Sequence, residues 1–583
     1  MKLYKNILQF CKMALERLPK SSATRAAEAE RLSVVVHDLR VATAALKIVA
    51  VASRPLSILE LSWAATLGVA GPEVTTVSAL AQLVDHQRLL SLIRPFLFEI
   101  DPSNLKMRQV LLAHESFRKF IVDHSSIEQQ TKTHSAPKKR LTTREPAESL
   151  QSYMLDICVR YLLLDEIDEL DLFSEKQVAL QHLPLTSSHD DEGSTDYDVN
   201  CTWEVWEKDM VRYDPAERGF GEFFVYASSY WVHHYGKVTS GPRLPDLACI
   251  ESLCKASSTR LHNWIEQNRR PDCAINPRQD FDSSLYDPLS ITALYGSEAM
   301  LCRVLRDADL GSEAYVSQPV KAATIQLLRW GDLSRLKTLL MEIRAKDQIP
   351  IIDFFQIVIK QWNTYKIQRD SWDLAFDILG SVLHWLIRDQ LGNELLCIAA
   401  RGGCMPLVQR LLSMAVGHQA LRYELQRNPP RQRQIESLAT TRPVHQSIGE
   451  AVSGNHVDIV QSLLETGIVR QHLSHVNARG ENVLHLAADV LNPAMFRLLI
   501  PRLPGGVHQK DRQGDTPLAR VIRSPSVAHD RFVCARILIL EGGAGRGEGG
   551  QQALLDLIEG LDDQLMCDVV VSASGMDELS ILW

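Results

Sequence analysis

Asn477-Ala478-Arg479-Gly480-Glu481-Asn482-Val483-Leu484-His485-Leu486-Ala487-Ala488 and Asp511-Arg512-Gln513-Gly514-Asp515-Thr516-Pro517-Leu518-Ala519 are two readings of one phrase. Their turn glycines, Gly480 and Gly514, stand 34 residues apart. A repeat of that period is the mark of stacked two-helix units, each of which covers its apolar face only against a neighbour. Thr516 suits a helix N-cap and Pro517 the first helical position, where a missing N–H costs nothing. Glycine supplies the turn geometry closed to other residues. Arrays of this kind bind partners over an extended surface.

The period extends upstream. Apolar pairs that end a second helix occur at Val304-Leu305, Leu339-Leu340, Ile378-Leu379, Leu411-Leu412, Leu463-Leu464, Leu498-Leu499 and Ile537-Leu538. Their spacings are 35, 39, 33, 52, 35 and 39 residues. The long interval coincides with a polar run, Arg422 to Thr441, which reads as a looped-out insertion.

The N-terminal half has a different logic. In Arg54-Pro55-Leu56-Ser57-Ile58-Leu59-Glu60-Leu61 the proline stops one helix, and Ser57 with Glu60 forms a capping box for the next. A second helix is expected around Val77 to Leu83. Leu89 to Ile93 and Pro95 to Asp101 read as short strands, and Val110 to Val122 as a helix. Helix, helix, short strands is a winged-helix order. A helix from about Leu150 to Leu164 follows, then an acidic run between Thr186 and Asn200 that reads as a loop. An aromatic helix from Phe220 to Tyr235 is expected to close at Gly236 in left-handed geometry, with His233 and His234 favouring positive charge in its last turn.

Composition sets outer bounds. The 583 residues suffice for three or four domains, and 45% hydrophobic with 23% charged residues is ordinary for a folded chain. The net charge of −8 disfavours nucleic acid as a bulk partner. The 11 cysteines form no C-x-x-C pair and read as reduced thiols, which places the protein in the cytoplasm or the nucleus. The longest apolar stretch, Val41 to Ala52, is interrupted by Lys47 and is too short to span a bilayer, so no membrane role is expected.

Two resemblances follow from these residues. The segments at 477–488 and 511–519 resemble ankyrin repeats, as do Asn393 to Gly403 and Ala451 to Gly467, with Pro288 to Gly296 as a degenerate copy. The first 240 residues resemble the region after the NTPase in fungal NACHT-ankyrin, NLR-like proteins. The residues that carry this are Arg54-Pro55-Leu56, Glu60-Leu61, His114 to Phe120, Cys158 to Leu162 and Tyr226 to His233. That family's G-x-x-x-x-G-K-[ST] motif does not occur here, so no nucleotide and no hydrolysis are expected.

The reading is therefore a mainly α chain, a winged-helix domain and helical connector followed by an ankyrin-repeat α-solenoid. Its expected divisions are an N-terminal helical segment (1–30), a winged-helix-like domain (31–124), a linker (125–149) and a helical connector (150–279). After these come about seven degenerate repeats (280–545, with an insertion near 417–441) and a Gly-rich loop with a C-terminal cap (546–583). The function expected is non-enzymatic protein–protein interaction, with Ala478, Arg479, Arg512 and Gln513 as partner-contacting tip residues. One alternative is a regulatory remnant or truncated form of an NLR-like signalling NTPase acting in self/non-self recognition. Another is a winged-helix DNA-binding regulator, although Val77 to Leu89 offers only Arg88 as a phosphate contact.

Sharper chemical readings of single motifs are outweighed by plainer ones. Gly545 to Gly550 matches G-x-G-x-x-G but lacks room for a βαβ unit, so no cofactor is expected. His233 and His234 diverge by about 100° on a helix and form no metal pair. His445, His456 and His485 fit backbone-bonding repeat positions, so no metal is expected there either. His114, Glu115 and Ser116 are consecutive and are not expected to converge as a catalytic triad. Lys138-Lys139-Arg140 reads as a solvated linker.

Overall fold

The computed structural model describes residues 22–98, 109–125, 144–181, 212–275, 283–346, 350–367, 372–388, 391–417, 447–466, 473–525 and 528–544. It is mainly helical, as expected, and divides into two compact units, Met1–Gln326 and Leu327–Trp583. The Lys138-Lys139-Arg140 cluster, the acidic run at 186–200, the polar run at 422–441, His445 and the glycine motif at 545–550 lie outside the described residues, as do most of the N-terminal segment and all of 546–583.

The first unit begins with α1 (Ser22–Val51), β1 (Leu56–Ser57), α2 (Ile58–Val69), α3 (Val77–Leu83) and α4 (His86–Ile93). Then come β2 (Gln109–Val110), α5 (Glu115–Ser125) and α6 (Arg144–Leu162). α1 packs against α2, α4, α5 and α6. β1 and β2 pair antiparallel, Leu56 opposite Val110, and Leu97 bridges Leu112.

Two local expectations are corrected here. Leu89 to Ile93 is helical, not a strand. Asp85 accepts from the Arg88 amide as the N-cap of α4, and Leu89 and Ile93, four residues apart, are buried on one face. Pro95 belongs to a 3-10 turn, Arg94–Phe96, and strand pairing begins only at Leu97. The helix expected from Val110 starts instead at Glu115, because Val110 is spent on pairing with Leu56.

The connector continues with α7 (Glu166–Glu169), α8 (Glu175–Gln181), α9 (Phe224–Lys237), α10 (Leu247–Leu253) and α11 (Thr259–Arg269). A helix pair, α12 (Pro288–Tyr295) and α13 (Glu298–Asp307), follows within the same unit. α9 lies against α6, α11 and α12. Its aromatic run forms the core: Phe223, Phe224, Tyr226, Trp231 and Tyr235 are buried, and Trp231 meets Trp264 edge-on at 5.0 Å.

One polar network joins α9 to the start of α2. The expected capping box is present: Ser57 Oγ accepts from the Glu60 amide (3.1 Å), and Glu60 Oε2 accepts from the Ser57 amide (2.8 Å). Arg54 donates to both Glu60 oxygens and lies over the Tyr226 ring, 5.2 Å from its centroid. The Tyr226 hydroxyl accepts from the Ser53 amide (2.9 Å) and lies 3.0 Å from His234 Nε2. His234 Nδ1 lies 2.6 Å from Gln151 Oε1. Since that oxygen only accepts, Nδ1 carries the proton and Nε2 accepts from Tyr226.

His234 is thus a buried neutral ring. Burial, with Lys237 and His233 nearby, pushes its pKa down to about 3. The positive charge expected at this helix end is therefore not on His234. Gly236 is also not a left-handed cap: it lies inside α9, and a Cβ there would meet the Tyr295 carbonyl at 2.8 Å. It is glycine because two backbones approach closely.

The second unit is built from successive helix pairs. α14 (Pro319–Trp330) straddles the division and is followed by α15 (Leu336–Lys346). Beyond it are α16 (Ile351–Tyr365) with α17 (Trp372–Arg388), α18 (Gly392–Arg401) with α19 (Met405–Gly417), and α20 (Ser447–Ser453) with α21 (Val457–Glu465). The last are α22 (Val483–Val490) with α23 (Pro493–Leu499), and α24 (Pro517–Arg523) with α25 (Ala528–Leu540). The first helices pack in chain order, α16 on α18, then α20, α22 and α24. The second helices do likewise, α15 on α17, then α19, α21, α23 and α25. The apolar pairs read from the sequence lie on the second helices, but they do not all end them: Leu339-Leu340, Ile378-Leu379 and Leu411-Leu412 fall well inside α15, α17 and α19. Leu411, Leu412, Leu463, Leu464, Ile537 and Leu538 are buried.

Asp287, the N-cap of α12, is fully buried. Its Oδ1 accepts from the Ser290 amide (2.7 Å), and its own amide donates to Ser290 Oγ (2.8 Å). Burial outweighs these bonds and raises its pKa to about 6. The folded carboxyl keeps its proton up to that pH, whereas an unfolded one releases it near 4. Stability from this group is therefore lost as pH rises between about 4 and 6. Asp287→Asn keeps the cap and removes the buried charge. Urea unfolding of the full chain at pH 7.5 is expected to show the variant more stable, by about 1–3 kcal/mol, with the advantage gone near pH 4. A variant less stable at pH 7.5 contradicts this account.

Candidate functional site

The tip residues named from the sequence lie on two turns of matching construction. In the first, the Asn477 amide donates to the Glu481 carbonyl (2.8 Å) and the Gly480 amide to the Asn477 carbonyl (2.9 Å). In the second, Asp511 donates to Asp515 (2.9 Å) and Gly514 to Asp511 (3.1 Å). The side chain that opens each turn folds back on it. Asn477 Oδ1 accepts from the amides of Arg479 and Glu481, and Asp511 Oδ1 from those of Gln513 and Asp515. Gly480 and Gly514 take φ of +78° and +86°, a region that favours glycine. The turns join where the Arg512 amide donates to the Arg479 carbonyl (2.8 Å). Ala478, Arg479, Arg512 and Gln513 are all exposed, and the structure brings the four onto these two adjacent turns.

Histidines and asparagines hold the turns to the helices. Asn482 caps α22, accepting from the Leu484 and His485 amides. Its Nδ2 donates to the Gly506 carbonyl (2.8 Å) and to Gln509 Oε1 (3.0 Å) in the next unit. His485 Nε2 donates to the Asp515 carbonyl (3.0 Å) while Nδ1 accepts from the Asn482 amide (3.2 Å). Burial lowers the pKa of that ring and keeps it neutral. His456 Nε2 reaches the Arg401 carbonyl of the preceding pair at 3.1 Å. Both described histidines therefore bond to backbone, as their repeat positions imply. Thr516 accepts from the Ala519 amide as the N-cap of α24, with Pro517 at the first position.

Beneath the tips lies a residue that the sequence did not single out. Arg520 sits 2.6 Å from Glu481, 2.8 Å from Asp489 and 3.8 Å from Asp511. Glu481 and Asp511 are nearly inaccessible. Burial alone would raise the Glu481 pKa, but Asn477 and Arg520 hold it below the ordinary carboxylate value. Arg523 takes Asp515 in the same way, at 2.5 Å. The only signal was indirect: two arginines in a short helix three residues apart, downstream of two acids spaced like the turns.

Other expected features are accounted for within the first unit. Three of the four segments carrying the NLR-like resemblance, 54–61, 158–162 and 226–233, contribute buried residues to one core, while 114–120 lies at the surface. Arg54 stacks on Tyr226, Arg118 Nε donates to the Ala50 carbonyl (2.9 Å), and Tyr161 meets Phe223 edge-on at 5.2 Å. Arg88, the expected phosphate contact, is ion-paired with Asp38 at 2.7 Å.

His114 and Ser116 do converge, against expectation, with Nδ1 2.7 Å from Oγ and the Ser116 amide donating to Nδ1 at 3.1 Å. The ring acts as a helix cap for α5. Glu115 turns away to Arg118, so the acid does not orient the histidine. A cleft of about 460 Å³ opens between α6 and the segment 242–246. Its Arg160 is consumed by the carbonyls of Leu67, Ala70 and Gly71, which end α2, and its Arg243 faces Glu148 at 3.9 Å. The described cysteines are free thiols. Among the described residues no helix is long and apolar enough to cross a membrane.

No family model matches this chain, and no curated protein matches it either.

Arg520→Ala leaves Glu481 and Asp511 buried without their cation. It is expected to destabilise the second unit by about 3 kcal/mol at pH 7. Glu481 has a depressed pKa, so its contribution is present above the unfolded carboxylate pKa, about 4.3, and is lost as pH falls below it. The penalty for the substitution should therefore shrink toward pH 3, as read by chemical denaturation. An unchanged midpoint at pH 7 rules out this role for Arg520.

Proposed function

We propose that this protein is a non-enzymatic interaction scaffold whose helix pairs are ankyrin repeats that hold a partner protein on the turn tips and the adjacent first helices. The observation that carries this reading is the pair of turns at 477–481 and 511–515. They share every backbone hydrogen bond, stand 34 residues apart, and present Ala478, Arg479, Arg512 and Gln513 to solvent. Each carboxylate near them is tied to an arginine or to backbone amides, so the tips are rigid platforms. Preorganised exposed residues on a stacked array suit recognition of an extended surface.

A second reading places the chain beside NLR-like signalling NTPases, as a regulatory relative acting in the cytoplasm or nucleus. What favours it is the packing of residues 54–61, 158–162 and 226–233 into one core in the first unit, since these are three of the segments that resemble the post-NTPase region. A DNA-binding role for the same region draws less support, because Arg88 already spends its charge on Asp38.

A photo-crosslinking amino acid placed singly at Ala478 and Gln513 in the full chain tests the scaffold reading. Partner adducts are expected at both positions and not at Val35 or Leu83, exposed control sites in the first unit. Adducts confined to the control sites refute it.

A further inference from the structure

Charge on the tips is segregated by depth. Arg520 and Arg523 gather the local acids, Glu481, Asp489, Asp511 and Asp515, into ion pairs of 2.5 to 3.8 Å below the turns. Arg479, Lys510 and Arg512 stand above them, all exposed. None of these three side chains makes an ion pair among the described residues. The hydrogen bond from the Arg512 amide to the Arg479 carbonyl fixes the two arginine backbones beside each other. Glu481, the acid that feels the Arg479 charge, is already ion-paired with Arg520, so the exposed cations on a chain of net charge −8 have no ion-pair partner of their own among the described residues. An anionic partner would gain charge-assisted hydrogen bonds to the two guanidiniums.

We infer that the segment recognised at the tips is an acidic stretch of polypeptide, with carboxylates that engage Arg479 and Arg512 and a further one near Lys510. The inference rests on the scaffold reading and specifies its partner. Polypeptide is favoured over nucleic acid on number and setting. Three cations are too few for the many phosphate contacts that carry nucleic-acid affinity, and the net negative charge of the chain opposes a polyanion of that density. Arginine forks match carboxylate geometry two bonds at a time, which gives a short acidic peptide specificity as well as charge.

Fluorescence anisotropy with the full chain tests this. The probes are a labelled 15-residue peptide alternating Glu with Gly and Ser, its Lys counterpart, and a single-stranded oligonucleotide of equal length. The Glu peptide is expected to bind, the Lys peptide not. Arg479→Glu with Arg512→Glu should weaken binding at least 10-fold, whereas Arg479→Lys with Arg512→Lys should retain most of it. Circular dichroism melts of each variant establish that the second unit stays folded, since these side chains lie outside its core. Absence of Glu-peptide binding overturns the inference, as does binding indifferent to charge reversal. An oligonucleotide that binds more tightly and is lost in the same variants also overturns it, in favour of nucleic acid. Partner adducts at Ala478 and Gln513 without Glu-peptide binding sink this inference alone and leave the scaffold reading standing. Loss of both sinks the two together.

Discussion

A pair of short antiparallel helices has more apolar surface than it can cover by itself, and the whole second unit answers to that constraint. Each pair must find a neighbour before and after it. The first helices therefore line up from α16 to α24 and the second helices from α15 to α25, each burying leucines and isoleucines against the adjacent copy. Register between copies is fixed by a few polar bonds at the ends of the helices. Asn482 and His485 reach into the following unit, His456 reaches back to the preceding one, and Arg520 draws acids from two successive turns into one cluster.

The first unit solves its packing differently. Ahead of the α12–α13 pair, its core is a run of aromatic rings on α9, steadied by a network from Arg54 through Tyr226 to His234 and Gln151. Tyr226 and His234 are buried, so their polar atoms must be satisfied internally. This is why Arg54, Glu60 and His234 are structural here. Their donors and acceptors are spent on holding one helix to the entrance of another.

What was legible in the sequence was whatever is decided by neighbours along the chain. The Ser57–Glu60 capping box, the Thr516-Pro517 helix start and the glycine turns are local rules, and each is present. Leu89 to Ile93 misled because four apolar residues in five satisfy strand and helix patterns alike, and the deciding group was the Asp85 cap. The neutrality of His234 and the crowding at Gly236 depend on residues more than fifty positions away, Gln151 and Tyr295. The four tip residues followed from position beside the turn glycines. Arg520 and Lys510 did not, because an arginine's role among three acids is a fact of three dimensions.

Contacts between consecutive pairs have a kinetic corollary. In the second unit a helix meets partners a few tens of residues away and rarely farther, so little loop entropy must be spent before a favourable contact forms. Such a chain need not wait for its far end to be synthesised. As each pair leaves the ribosome it can dock on the one before, and the growing edge serves as the template for the next.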